Sequence, residues 1–365
     1  MAEKLKVGII GLGSMGSTHL DIYSQISEVE VVAVSDLKKS RLDGSSRAEG
    51  NIGGQAQGSV TGLETKQYLD GMDLIDDPDI ELVDICVGTN LHFILVEAAL
   101  AKGKHVLVEK PLARTYDEAK QIVQLATNSS SNVMVAMCLR YWPAWVWLKN
   151  IIDNKEYGDC LSFTCKRQTS HPPGTFYSND DECGGALLDL HIHDTDFINH
   201  CFGMPKAVFS QGYKGPSGGI DHVATQYIYD QPQKTPLVTA EGTWTMQEGY
   251  GFNMSYIANF ENATACYLLD NEETLRLFRS GCEPEIIKLD EGMGYEFEIR
   301  SFVDDILSNK RRDIDSLKQA AESVAIIEAE LASIKSCSVV ALEFDGAAAP
   351  PCKQQLPPEL GHLNS

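Results

Sequence analysis

The chain reads as two unlike halves, an α/β domain on a parallel sheet and then an α+β domain on a mainly antiparallel open sheet. Three observations predict this. Over the first third, short β-branched runs alternate with helix-period segments, the βαβα order that puts helices on both faces of a parallel sheet. After about residue 140 strand follows strand, each alternating apolar and polar, as in a half-buried antiparallel sheet. The length, 365 residues, suits two domains of ~100–200 residues each. The expected boundaries are 1–140, 141–344 and a Pro- and Ala-rich extended tail over 345–365.

Each element has its own signal. "KVGII" is a strand, "SMGSTHLDIYSQI" has helical spacing, and "EVVAVSD" is a strand followed by a charged helix from about Lys38. "NIGGQAQGSVTG", over 51–62, reads as a loop. "ELVDICVG" and "KHVLVEK" are strands flanking the helix "LHFILVEAALAKG", which stops at Gly103. "TYDEAKQIVQLAT" is a helix with Thr115 as N-cap and Glu118 three residues on, a capping box. "VMVAMC" closes the parallel set. A helix starting on Pro143 opens the second half, and eight strands run from "DCLSFTCKRQT" to "EIIKL". One helix over about 184–201 interrupts them, and two more, "YEFEIRSFVDDILSN" and "DIDSLKQAAESVAIIEAELASI", follow.

A net charge of −22 argues against nucleic acid as a partner, because phosphate binding needs basic patches, and disfavours anionic membrane surfaces. No run approaches the ~20 apolar residues of a membrane span, and no signal peptide is expected. Ten cysteines show no CxxC spacing and sit largely in apolar runs, so they read as reduced core thiols of a cytoplasmic protein.

"KVGIIGLGSMGSTHL" contains Gly11-x-Gly13-x-x-Gly16 between a strand and a helix, and "VVAVSD" ends the next strand on Asp36, twenty residues after Gly16. That is the full fingerprint of a dinucleotide-binding Rossmann domain. Gly11 permits the tight turn, Gly13 lets a pyrophosphate approach, and Gly16 lets helix and strand pack. Ser14 and Met15 open the helix whose N-terminal N–H groups favour an anion. Asp36 accepts from the adenosine ribose and repels a 2′-phosphate, favouring NAD over NADP, moderately because Lys38 and Lys39 follow. "CVGTNLHF" places Thr89, Asn90 and His92 at the crevice edge, either as cofactor contacts or as a plain helix cap.

"HVLVEKPLA" ends a buried strand on Glu109-Lys110-Pro111. Glu109 borders the cofactor site. A lysine there points into the ligand crevice or is a surface lysine at a strand end; beside a nicotinamide's positive ring it loses proton affinity. The Lys110–Pro111 bond is a candidate for cis. In "GGALLDLHIHDTDF" the spacing predicts a helix. Residues two apart then lie ~200° apart, so His191 and His193 face opposite ways and no metal site is expected. Residues four apart share a face, so Asp189 and His193 pair, either as an acid–base couple or as an internal salt bridge; Asp196 and His200 continue that face. Asp194 reads as a structural cap or pair.

The three motifs "GLGSMGSTH", "EKPLA" and "GGALLDLHIHDTD", in that order, resemble the glucose–fructose oxidoreductase and inositol dehydrogenase (Gfo/Idh/MocA) family over roughly residues 4–344. The resemblance implies a sugar site beside the nicotinamide lined by Lys110, Asp189 and His193, with Thr89, Asn90 and His92 at the cofactor. It makes Arg140 and Tyr141 of "LRYWP" candidate substrate contacts. It implies NAD-dependent oxidation of a secondary hydroxyl of a sugar, glycoside or cyclitol, and a homodimer or homotetramer formed through the second sheet. Two rivals share the fold: a redox-neutral, NAD-dependent glycoside-cleaving enzyme and a non-catalytic dinucleotide-binding scaffold. His191 departs from the family pattern and reads as packing behind the helix.

Overall fold

Near-continuous apolar runs cannot alternate between core and water, so they become strands buried on both faces. Four such runs form β1 (Leu5–Ile10), β4 (Leu82–Ile85), β5 (His105–Glu109) and β6 (Val133–Ala136). With β2 (Val29–Ser35) and the short edge strand β3 (Lys66–Tyr68) they make an all-parallel sheet in the order β3-β2-β1-β4-β5-β6. The computed structural model describes residues 4–46, 60, 64–230 and 236–342. The 51–62 loop apart from Val60, and the 345–365 tail, lie outside the described residues.

The crossovers are α1 (Ser14–Ser24), α2 (Lys39–Leu42), α3 (Gly71–Asp76), α4 (His92–Ala101) and α5 (Tyr116–Asn128). Thr115 caps α5 by accepting from the Glu118 amide at 3.3 Å, the forward half of the expected capping box. Asp70 caps α3 through the Met72 amide at 2.9 Å. β3 and α3 were not expected. "KQY" is a polar edge strand with no apolar alternation, and six residues of helix hold too little period to stand out. Strand order reverses at β1, which leaves a crevice at the carboxyl ends of β1 and β4.

The second half begins with α6 (Pro143–Asn154), with Pro143 in its first turn. Its sheet comprises β7 (Cys160–Ser170), β8 (Ala207–Lys214), β9 (Ile220–Ile228), β10 (Leu237–Met246), β11 (Phe252–Phe260), β12 (Thr264–Leu268), β13 (Leu275–Phe278), β14 (Glu285–Ile286) and β15 (Val340–Ala341). The order is β14-β13-β12-β11-β7-β10-β9-β8-β15, antiparallel except where β7 and β10 run parallel. Short helices α7 (Asp180–Cys183) and α8 (Gly185–Asp189), then α9 (Ile192–Phe202), follow β7; α10 (Gly294–Leu307) and α11 (Asp315–Ser336) follow β14.

One face of this sheet is core. Trp145 of α6 is fully buried, with Phe163, Phe197, Tyr256 and Tyr267 around it at ring centroid distances of 4.8–6.5 Å. Emptying such a site by Trp→Ala costs about 3–5 kcal/mol. The opposite face keeps Leu237 and Ile257 more than half exposed.

The two halves share their cores. Leu187, Ile192, Leu317 and Val324 pack in one cluster with Val106, Val108 and Ile122 of the parallel-sheet domain. Tyr295, Ile299 and Phe302 of α10 join Leu20 and Tyr23 of α1. Among the described residues no helix is long and apolar enough to cross a membrane, and the nine described cysteines are unpaired.

Candidate active site

The glycine loop connects β1 to α1. Gly11 has φ +93°, and a Cβ there would sit 2.4 Å from Cys86 O. At Gly16 a Cβ would sit 1.8 Å from Gly11 O, so α1 approaches the strand as it does only because both residues lack side chains. Around Gly13 the space is open to 4 Å, and α1 begins directly after it at Ser14 and Met15. That is an anion cradle of backbone N–H groups. Asp36, at the end of β2, is 8% exposed. Its Oδ2 accepts from Leu12 N at 2.9 Å and from Arg41 Nη1 at 3.1 Å, and its Oδ1 accepts from Lys38 N at 2.8 Å. The carboxylate therefore stands beside the glycine loop, with Arg41 as an unforeseen cationic neighbour.

After β4, Thr89 is buried and Asn90 is exposed on a single 3₁₀ turn. His92 is placed elsewhere than expected. Its ring is fully buried, with Nδ1 3.0 Å from Pro111 O and Nε2 3.2 Å from Val87 O. It braces the Lys110–Pro111 turn against the end of β4. That peptide bond is cis.

Lys110, at the end of β5, reaches across the crevice. Its Nζ donates to Asp189 O at 2.9 Å and to Asp189 Oδ1 at 3.1 Å, with 14% and 18% of the two side chains exposed. Burial works against the ammonium, but Asp189 and Glu109 outweigh it and hold Lys110 above its ordinary value. In the protein itself, then, the balance runs opposite to the lowered proton affinity expected beside a nicotinamide.

The helix expected over 184–201 is broken, which corrects the proposed pairing. α8 ends at Asp189 and α9 starts at Ile192. The His191 amide reaches back five residues to Ala186 O at 2.8 Å, and the His193 amide turns to Leu190 O at 3.4 Å. Asp189 and His193 are therefore not partners on one continuous helix face. Asp189 serves Lys110 with both its carbonyl and its carboxylate. His193 has Nδ1 3.8 Å from Cys138 Sγ. Burial, reinforced by the positive charges of Lys110 and Arg167, pushes its imidazole well below the ordinary histidine range, so the ring is neutral at pH 7. Lys110, Asp189 and His193 are thus gathered in one place, with the carboxylate attached to a different member than expected.

Two more candidates are held by the protein itself. Arg140 Nε and Nη2 grip Asp196 at 2.8 and 2.7 Å, and Nη1 donates to Ser316 O and Oγ at 3.0 and 2.8 Å. Tyr141 OH accepts from Arg312 and points at Met134 Sδ. Both side chains tie the start of the second half to α9, α11 and β6. His200 Nδ1 lies 3.3 Å from Gln319 Oε1. His191 packs behind the helix as expected, fully buried, with Nε2 3.3 Å from Glu330 Oε2, in space left by Gly242. Asp194 pairs structurally, with Arg167 at 2.9 Å.

Sequence reasoning missed Arg167, although a signal existed. It shares the inward face of β7 with Phe163 and Cys165, and a charge on an apolar register needs a buried partner. It also missed His19, whose ring lies between Asp84 and Glu109. His19, Asp84 and Cys86 bring three metal-ligating donor types within 4.8 Å of one another. Hydrogen bonds among them, at 2.8, 3.3 and 3.4 Å, account for that closeness.

Comparison with known proteins agrees with this architecture. Residues 5–137 match the model of the Gfo/Idh/MocA oxidoreductase family with an NAD-binding Rossmann fold, and residues 145–265 match the Gfo/Idh/MocA C-terminal domain. Inositol 2-dehydrogenase of Salmonella typhimurium is 37% identical over 199 residues, 53% of this chain and 54% of that protein. Levoglucosan dehydrogenase of Pseudarthrobacter phenanthrenivorans is 31% identical over 253 residues, 68% of this chain and 60% of that protein. The matched segments thus span little more than half of the first curated relatives, 55% and 54%. A levoglucosan dehydrogenase structure in complex with NADH and levoglucosan superimposes with a TM-score of 0.80 over 93% of this chain and 100% of that one, at 20% identity, a likeness of fold. With both of its sheets matched by models of one family, the chain belongs to the Gfo/Idh/MocA oxidoreductases.

Proposed function

We propose that the protein is an NAD-dependent dehydrogenase that oxidises a secondary hydroxyl of a sugar, glycoside or cyclitol. The observation that carries this reading is the Lys110 ammonium, fixed by Asp189 at the crevice end of β5 close enough to His193 to depress its proton affinity. A cation and a neutral base beside a dinucleotide cradle suit removal of a hydroxyl proton with stabilisation of the alkoxide. The open space at Gly13, the glycine turn into α1 and Asp36 fit the pyrophosphate and ribose of the cofactor. Bound NAD supplies the hydride acceptor.

In this mechanism His193 takes the hydroxyl proton. Nδ1 stands 3.8 Å from Cys138 Sγ, and this role requires the tautomer that leaves the lone pair on Nε2. Lys110 stabilises the developing alkoxide, and Asp189 holds Lys110 rather than His193. Asp36 favours NAD over NADP by repelling a 2′-phosphate, and Arg41 moderates that preference. The half-exposed Leu237 and Ile257 support a homo-oligomer through the open sheet. The substrate class is borrowed from the inositol and levoglucosan dehydrogenases among the relatives.

The test is absorbance at 340 nm with NAD against inositols, levoglucosan, neutral sugars and glycosides. Accumulating NADH with one class supports the dehydrogenase. Bound NAD without NADH from any of them rejects it and turns the search to redox-neutral glycoside cleavage.

A further inference from the structure

Beneath the crevice lies a charge cluster that the dehydrogenase chemistry does not itself use. His19, on α1, is fully buried. Its Nδ1 is 2.8 Å from Asp84 Oδ2 on β4, and its Nε2 is 3.2 Å from Glu109 Oε1 at the end of β5. Asp84 is fully buried and Glu109 is 6% exposed. The other oxygen of Glu109 accepts the amide of Lys110 at 3.0 Å. A chain of contacts therefore runs Asp84–His19–Glu109–Lys110–Asp189, from the interior of the parallel sheet to the ammonium in the crevice. Cys86, Tyr23 and Glu298 complete its surroundings.

We propose that His19 is a positioning residue: held by Asp84, it fixes the Glu109 carboxylate that sets where Lys110 stands. The inference rests on the role given to Lys110 above. Stability alone is a poor reason for such a cluster, since buried ion pairs gain little over apolar packing of the same volume. Orientation is a better one. An imidazole hydrogen-bonded to Asp84 on one strand and in charge contact with Glu109 on the next, outside hydrogen-bond alignment, has its ring placed by both, as outer partners orient the ligands of a metal. Burial opposes a charge on His19, but Cys86 and Asp84 outweigh it and hold the ring well above the ordinary histidine value. His19 in turn helps keep Glu109 ionised against its burial.

Two substitutions separate positioning from simple packing. Gln carries its amide nitrogen near the place of Nε2 and preserves the contact with Glu109. Asn carries it near Nδ1 and preserves only the contact with Asp84. Competitive acetylation of the full chain by acetic anhydride, read by mass spectrometry against exposed Lys214, reports the Lys110 amine without any substrate. In His19→Asn, Lys110 is expected to label about fivefold faster than in wild type, and in His19→Gln within about twofold. Where the screen has found a substrate, turnover falls about tenfold or more in His19→Asn and recovers in His19→Gln, with NAD binding kept. Lys110 labelling that is equal in wild type and His19→Asn overturns the proposal, whether or not NADH was ever seen. Should His19→Asn fail to fold, Asp84→Asn, which touches His19 and not Lys110, is expected to quicken Lys110 labelling about threefold; an unchanged rate overturns the proposal equally.

Discussion

Replacing Arg140 by Met is the sharpest test of the corrected site. The guanidinium makes four hydrogen bonds, two to Asp196 and two to Ser316. The two charged side chains are 6% and 1% exposed. Met fills much of the same volume but leaves Asp196 with only the Ser323 hydroxyl at 2.9 Å. Breaking one side of a buried pair costs about 3–5 kcal/mol. In a chain of this size that is a fall in Tm of roughly 4–7 °C. The double variant Arg140→Met, Asp196→Leu removes both charges and regains most of the loss. Differential scanning calorimetry reads the Tm, and NADH formation with a substrate found at 340 nm reads KM, expected within about threefold of wild type. An unmoved Tm with KM raised about tenfold would refute the reasoning and return Arg140 to the substrate.

Three further outcomes are expected. Lys110→Ala and His193→Ala each lower turnover by about two powers of ten or more while NAD binding, followed by protein fluorescence quenching, persists; full activity in both rejects the assigned roles. Asp36→Ala weakens NAD far more than NADP in the same titration, and an unchanged preference rejects the ribose contact. Glu298→Gln is expected to stabilise the fold increasingly with pH. Both carboxyl oxygens of Glu298 are buried without a partner, and burial, then Glu109, hold the group well above its ordinary value. Its stability is therefore complete below the unfolded value of about 4.3 and is lost as pH rises from there toward the folded value. Gln carries no such loss, so its advantage over the wild type should grow by up to about 1.4 kcal/mol per pH unit above that point. Parallel urea midpoints at pH 5 and 8 decide it, and a constant difference refutes it.

Much of the frame was legible because it is written locally. The apolar runs of β1, β4, β5 and β6 sit next to their turns, and the glycine spacing, Asp36 and the Lys-Pro step are short-range signals. What failed was non-local. The period of "GGALLDLHIHDTDF" is the same for a continuous and a broken helix. At the break, the Asp189 carbonyl is taken by Lys110, 79 residues away in the chain. The partner of Arg140 was hidden for a similar reason, since Asp196 lies 56 residues on. His92 was read from its neighbours, and the carbonyls of Val87 and Pro111 that claim its ring emerge only when two strand ends meet. His19 stood inside a quoted motif, yet Asp84 is 65 residues distant, and no spacing rule joins them.

The sharing of cores between the halves has a consequence for biosynthesis. The parallel-sheet domain is complete in sequence by about residue 137, yet part of its apolar surface is closed by Leu317 and Val324 of α11. At translation rates of 5–20 residues per second, roughly 10–40 seconds separate the emergence of the first sheet from that of the helix that covers it. During that interval the nascent chain leaves the flank of α5 uncovered, where a chaperone or an aggregating neighbour finds it first. Emergence of α11, rather than completion of the nucleotide-binding half, is thus the moment at which the molecule becomes safe from itself.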